Sequence, residues 1–294
     1  MDEAALGLDS ALALIDSIKD YRVLFIGDTI IDEYHYVTPL GNASKEHLIP
    51  MRYVNEEVFT GGVDAAAKHL RTFCKEVKVW SSNKVTRKVR MVDKTYLRKM
   101  AEVHYEEDQV LPDMPAGFHD VLVIADFGHG AISPAQAIDY GKKSSFTAVS
   151  TQTNSANRGF NLITKYPSAD YIVIDEPEAR LAAADRNGHI EDVMQKLAHG
   201  RCERFVVTHG IYGAYGYDHG KFYRCKAFTD RIVDTMGAGD AFFSVTAPMA
   251  KTGNMEDLLL IGNAAGAMKT QIVGHRESVT KEALIGYLRA NCKD

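Results

Sequence analysis

The densest chemistry in the sequence lies in Asp234-Thr235-Met236-Gly237-Ala238-Gly239-Asp240, which runs into a helical pattern over residues 241–250. Glycines at 237 and 239 permit positive φ and close backbone approach, so successive N–H groups can point at one anion. The helix that follows brings its partial positive N-terminus to the same place. Together these make a hole for the charge that develops on a transferring phosphoryl group. Asp240 falls in the first helical turn, where a carboxylate also serves as a plain capping residue. Beside an anion hole it can instead take the proton of an attacking hydroxyl, as a general base.

Such a hole has to be held by a framework, and the rest of the chain supplies a periodic one. Apolar runs at residues 23–26, 77–80, 121–125, 171–174 and 205–208 read as buried strands. Helical patterns at 63–73, 134–142, 178–184 and 190–197 lie between them, and another at 8–18 precedes them. Strands alternating with helices predict right-handed crossovers and a mostly parallel sheet whose ligands gather at the strands' carboxyl ends. Residues 49–60 and 87–103 break this rhythm with period-two alternation, which predicts a small antiparallel flap over one face of the site. Lys88, Arg90 and Arg98 on that flap are candidates for holding a phosphate, because guanidinium forks match phosphate geometry; a solvated strand face is the plainer alternative.

The Asp234–Asp240 segment resembles the D-T-x-G-A-G-D signature of the ribokinase-like, or PfkB, carbohydrate kinases. Other parts follow in the family's order. Gly27-Asp28-Thr29-Ile30-Ile31-Asp32-Glu33-Tyr34 is similar to the GDxxxDxY opening of the heptose-7-phosphate kinase branch, and Gly61-Gly62 to the family's diglycine. Residues 126–130 look like that branch's D-Y-x-K-G, residues 175–178 like N-x-x-E, and residues 208–213 like T-x-G-x-x-G. The resemblance covers roughly residues 21–288. It implies a ribokinase-like three-layer α/β/α fold, formed as one kinase domain over residues 1–294, with a β-lid from about 33–60 and 85–105.

The resemblance also implies roles. ATP would be the phosphoryl donor and Mg2+ the metal, with Asp240 as base and Gly237, Ala238 and Gly239 as the anion hole. The acceptor sugar would meet Asp28, Asp32, Gly61, Gly62 and Asp126, with Lys88, Arg90 and Arg98 on any phosphate it carries. Asp175, Glu178, Thr208, Gly210, Gly213 and Asn263 would border the nucleotide, Glu178 reaching the metal through water. Glu178 in a first helical turn and a buried Asn263 satisfying backbone groups are equally ordinary structural roles. A homodimer through the lid is a further family expectation.

The chain departs from the branch at several points. Val63, Asp64, Ala65 and Ala66 follow the diglycine where an asparagine is usual, and His129 and Asp175 replace a lysine and an asparagine. Residues 81–83 lead almost directly into the flap where the family usually inserts another βα unit. An ATP-dependent kinase of a phosphorylated or otherwise anionic sugar is therefore the leading expectation. A catalytically impaired sugar- or nucleotide-binding member, or a kinase of a nucleoside or other small alcohol, are the alternatives.

Composition excludes other classes. The 34 basic and 39 acidic residues leave a net charge of −5, without the basic footprint of a nucleic-acid binder. The four cysteines are far apart and form no metal or redox pair, which suits reduced thiols. An acidic N-terminus and the absence of an 18-residue apolar run argue against a signal peptide or a membrane span, so a cytoplasmic protein is expected.

Overall fold

The computed structural model describes residues 7–113, 117, 119–140, 144–155, 157, 159–228 and 232–292. The five predicted apolar runs form β1 (Arg22–Gly27), β4 (Glu76–Ser81), β7 (Val121–Asp126), β9 (Tyr171–Asp175) and β10 (Arg204–Thr208) of the main sheet, and an unpredicted strand, β8 (Thr147–Thr151), lies between β7 and β9, all six parallel. The antiparallel strands β11 (Ala214–Asp218) and β12 (Lys221–Cys225) extend it to the order β12-β11-β10-β9-β8-β7-β1-β4.

Alternate residues of each strand face opposite layers, and both layers are apolar. Val23, Phe25, Val121, Val123 and Val173 join one core cluster, while Leu24, Ile26, Leu122, Ile124 and Ile172 join the other. Burial on both faces explains the unbroken apolar runs in the sequence. On the first side lie α1 (Leu8–Ser17), α2 (Gly62–Lys68), α6 (Ala238–Met249), α7 (Met255–Lys269) and α8 (Lys281–Asn291). On the second lie α3 (Pro134–Tyr140), α4 (Glu176–Ala183) and α5 (Ile190–Ala198). The expected helix over 63–73 is shorter, as α2 ends at Lys68, and residues 141–142 of another lie outside the described residues.

The lid is a second sheet, β3-β2-β5-β6, from β2 (Thr29–Pro39), β3 (Met51–Gly61), β5 (Thr86–Asp93) and β6 (Lys99–Tyr105). Its outer pairs β2·β3 and β5·β6 are antiparallel as expected, and its central pair β2·β5 is parallel. The reason lies in the chain path: β2 continues from β1 and β5 from β4, and β1 and β4 are parallel neighbours. Each strand passes from the main sheet into the lid with its direction kept. With only residues 82–85 between β4 and β5, β4 is left at the edge of the main sheet. Among the described residues no helix is long and apolar enough to cross a membrane, and the four cysteines are free.

Candidate functional site

A cavity of about 540 Å³ opens at the carboxyl ends of the parallel strands, within the usual range for small-molecule sites. Gly237, Ala238, Gly239 and Asp240 line it, and so do Asp175, Glu178, Thr208, Gly210, Gly213 and Asn263. Ten sequence-predicted residues from four separate segments are thus brought to one place. The mechanism is topological: β9, β10 and α6 all present their ends to the same rim.

Gly237 caps α6 in the left-handed conformation, φ 74°, where a side chain is strained. A Cβ there would also press within 3.2 Å of Lys269 Cε and 3.3 Å of His275 Cε1. The turn leaves the N–H groups of Gly237, Gly239 and Asp240 without hydrogen-bond partners among the described residues, while Ala238 N–H donates to Thr235 O at 3.3 Å. Three amides without partners among the described residues thus lie at the start of α6, beside the half-buried Asp240 side chain. Burial raises the Asp240 pKa against the opposing pull of the His275 and Lys269 charges, which suits a proton acceptor. Gln152 Nε2 donates to Asp240 Oδ1 at 3.2 Å and orients it.

Glu178 faces the cavity but already holds two backbone amides, from Thr153 at 2.8 Å and Asp175 at 3.0 Å. Asp175 returns the bond by accepting from Glu178 N–H at 2.8 Å, which completes a capping box for α4. Burial and the neighbouring Asp175 charge push the Glu178 carboxyl up to about 8. Asn263 likewise has a structural partner, donating to Cys225 O at 3.1 Å. Among the described residues no three His, Cys, Asp or Glu side chains are grouped to bind a metal unaided. The Asp175 and Glu178 oxygens are nonetheless hard donors of the kind that suits Mg2+ through water, once a nucleotide's phosphates complete the shell.

The inner face of the lid carries the second group. Cross-strand register lays Asp32, Lys88 and His104 in one row, and Tyr34, Arg90 and Glu102 in the next. Gly61, paired to Ile30, lets Asp32 lie against the backbone, since a Cβ would sit 2.2 Å from Asp32 Oδ2. Gly62 begins α2 directly behind. Arg90 forms ion pairs with Asp32 and, at 2.5 Å, with Glu102, and His275 Nε2 lies 3.4 Å from Asp32 Oδ2. Burial alone would raise the Asp32 carboxyl, but the His275 hydrogen bond and the Arg90 charge hold it at about 2. Lys88 is 8% exposed and its side chain makes no hydrogen bond or ion pair among the described residues, with the Asp32 and Glu102 carboxylates near enough to favour its charge. Nearby, His129 Nε2 is buried without a partner.

Three expectations need correction. Asp28 is fully buried and accepts from the backbone N–H groups of Phe127 (2.8 Å), His129 (3.2 Å) and Ala131 (3.1 Å). It fastens the turn after β7 and presents no free oxygen to a sugar. Burial and the adjacent Asp126 charge lift it to about 6. Asp126 is equally occupied, by Tyr166 Oη at 2.6 Å, Asn161 Nδ2 at 3.0 Å, Gly128 N at 3.1 Å and the Lys165 ammonium. Arg98 lies exposed at the β5–β6 hairpin, its guanidinium 6.0 Å from the Tyr96 ring, away from the Lys88 row.

Sequence reasoning missed Gln152, Lys99, Lys269, His275 and the role of Asp234. Asp234 ties the Gly237–Gly239 turn to the lid, accepting from Lys99 Nζ at 2.9 Å and Tyr34 Oη at 3.0 Å. Gln152 follows β8, whose short polar sequence gives no apolar run, so the signal of a residue just after a strand was lost with the strand.

Comparisons with known proteins bear on the family and the fold. The sequence profile described as "pfkB family carbohydrate kinase" matches residues 135–282, half of the chain. The "Probable fructokinase-6, chloroplastic" of Arabidopsis thaliana is 28% identical over 134 residues, covering 42% of this chain and 34% of that protein. The match thus spans about a third of that relative's length. The ribokinase of Thermotoga maritima shares the fold at 15% identity with a TM-score of 0.69, over 92% of this chain and 99% of that one. The Arabidopsis thaliana ribokinase complexed with ribose and ATP does so at 13% identity, TM-score 0.67, over 92% and 99%. The fold is therefore ribokinase-like. The profile match takes in every cavity-lining candidate, and on it the chain belongs to the pfkB family of carbohydrate kinases.

Proposed function

We propose that the protein transfers the terminal phosphoryl group of ATP to a hydroxyl of a sugar that carries its own anionic group. The observation that carries this reading is the set of three amides at Gly237, Gly239 and Asp240, unpaired among the described residues, beside the Asp240 carboxylate and lining a cavity of about 540 Å³. Thr208, Gly210, Gly213 and Asn263 border the nucleotide. Asp175 and Glu178 would hold Mg2+ through water, which when bound neutralises phosphate charge. Asp240 removes the proton of the attacking hydroxyl as the amides take up charge on the phosphoryl oxygens. Gln152 keeps the base aimed.

Asp32, Gly61 and Gly62 face the sugar. Lys88 receives its anionic group: its side chain makes no hydrogen bond or ion pair among the described residues, whereas Arg90 is already engaged by two carboxylates. A phosphorylated sugar such as heptose 7-phosphate is the first acceptor to assay. Turnover measured on matched neutral and phosphorylated sugars tests the reading. Lys88→Met should raise KM for the phosphorylated acceptor about 10-fold or more and leave neutral acceptors unchanged. Equal activity of wild type on both classes would remove the anionic acceptor from the proposal. Val58, Val103 and Tyr105, exposed on the outer face of the lid, are the surface through which we propose a homodimer forms, to be tested by sedimentation.

A further inference from the structure

Lys269, the last residue of α7, is wholly buried, a rare place for an ammonium. Its Nζ donates to Met236 O at 2.8 Å and Gly274 O at 2.6 Å. The N–H groups of the same two residues donate to Asp234, Met236 at 3.1 Å and Gly274 at 2.9 Å. One buried cation and one carboxylate therefore grip opposite ends of two residues that flank the anion-hole turn.

The consequence follows from peptide planarity. The Met236 carbonyl shares a trans amide plane with the Gly237 N–H, so the two point in opposite directions. Drawing the carbonyl inward to the ammonium turns the Gly237 N–H outward, and that N–H has no partner among the described residues. The ammonium also polarises this amide, which strengthens its donor end. The lysine stem fills the space beneath Gly237, 3.2 Å from where a Cβ would stand.

We propose that Lys269 is a positioning residue of the anion hole, its buried ammonium fixing the Met236–Gly237 peptide so that the Gly237 N–H is aimed at the terminal phosphate of the bound nucleotide. The inference rests on the nucleotide reading of the cavity, and its test separates the two. Binding of adenosine and of the non-hydrolysable ATP analogue AMPPNP is measured calorimetrically for wild type, Lys269→Met and Lys269→Ala. Wild type should prefer AMPPNP. Lys269→Met should cut that preference about 10-fold or more while adenosine binding stays as in wild type. Methylammonium should restore the preference in Lys269→Ala.

A wild type without the preference removes the nucleotide reading and the inference with it. A wild-type preference retained in Lys269→Met overturns the inference alone. So does an equal loss of adenosine and AMPPNP binding, the mark of a general loosening, or a lost preference that methylammonium does not restore.

Discussion

Replacing Asp32 with asparagine removes a carboxylate whose pKa has dropped from the ordinary 3.8 to about 2, and the change should appear as altered acid sensitivity. At about 1.36 kcal/mol per tenfold change in proton affinity, the drop is worth about 2 kcal/mol. Because the folded pKa is depressed, this stability is complete above the unfolded value of 3.8 and is lost as pH falls through 2. Integrating the two titrations leaves about 1 kcal/mol by pH 3. The variant keeps Arg90 paired with Glu102, so it avoids the full cost of about 3–5 kcal/mol for stranding a buried cation. Urea unfolding of both proteins from pH 7 to pH 3 gives the comparison. The wild-type advantage should be steady between pH 7 and 5 and shrink by about 1 kcal/mol at pH 3. A gap that stays constant to pH 3 would show that Asp32 is not held ionised by Arg90 and His275.

Other substitutions report on the turn and the latch. Gly237→Ala meets a positive φ and the Lys269 stem, so it should lower stability by about 1–2 kcal/mol in thermal unfolding and weaken ATP-analogue binding, with adenosine binding unchanged. Lys99→Met cuts one of the two links from the lid to Asp234 and leaves Tyr34 in place; since that ion pair is partly exposed, stability should change by less than about 1 kcal/mol. In steady-state kinetics it should instead raise the acceptor KM several-fold and leave the nucleotide KM alone.

The parallel core was legible because burial on both faces forces continuous apolar runs, and those of β1, β7 and β9 stand out directly. β8 escaped because Thr147, Ser150 and Thr151 interrupt its run, and Gln152 went with it. The glycine turn at the head of α6 was legible because glycines spaced by two leave a local mark. Asp28 and Asp126 misled: an acid at a strand end looks the same in sequence whether it meets a ligand or, like Asp28, the amides of a turn about 100 residues away or, like Asp126, the Tyr166, Asn161 and Lys165 side chains. Lys269 and His275 gave no signal, as their partners, the Met236 and Gly274 carbonyls and Asp32 of β2, are brought to them only by the packed fold.

The central claim is that Asp240 acts as the base beside an anion hole that binds the nucleotide's terminal phosphate. Acceptor-dependent ATP turnover in wild type and Asp240→Asn, with AMPPNP affinity measured in parallel, tests it most directly. Turnover should fall about 100- to 10,000-fold in the variant while AMPPNP binds as before. An Asp240→Asn enzyme that turns over within a few-fold of wild type would contradict it.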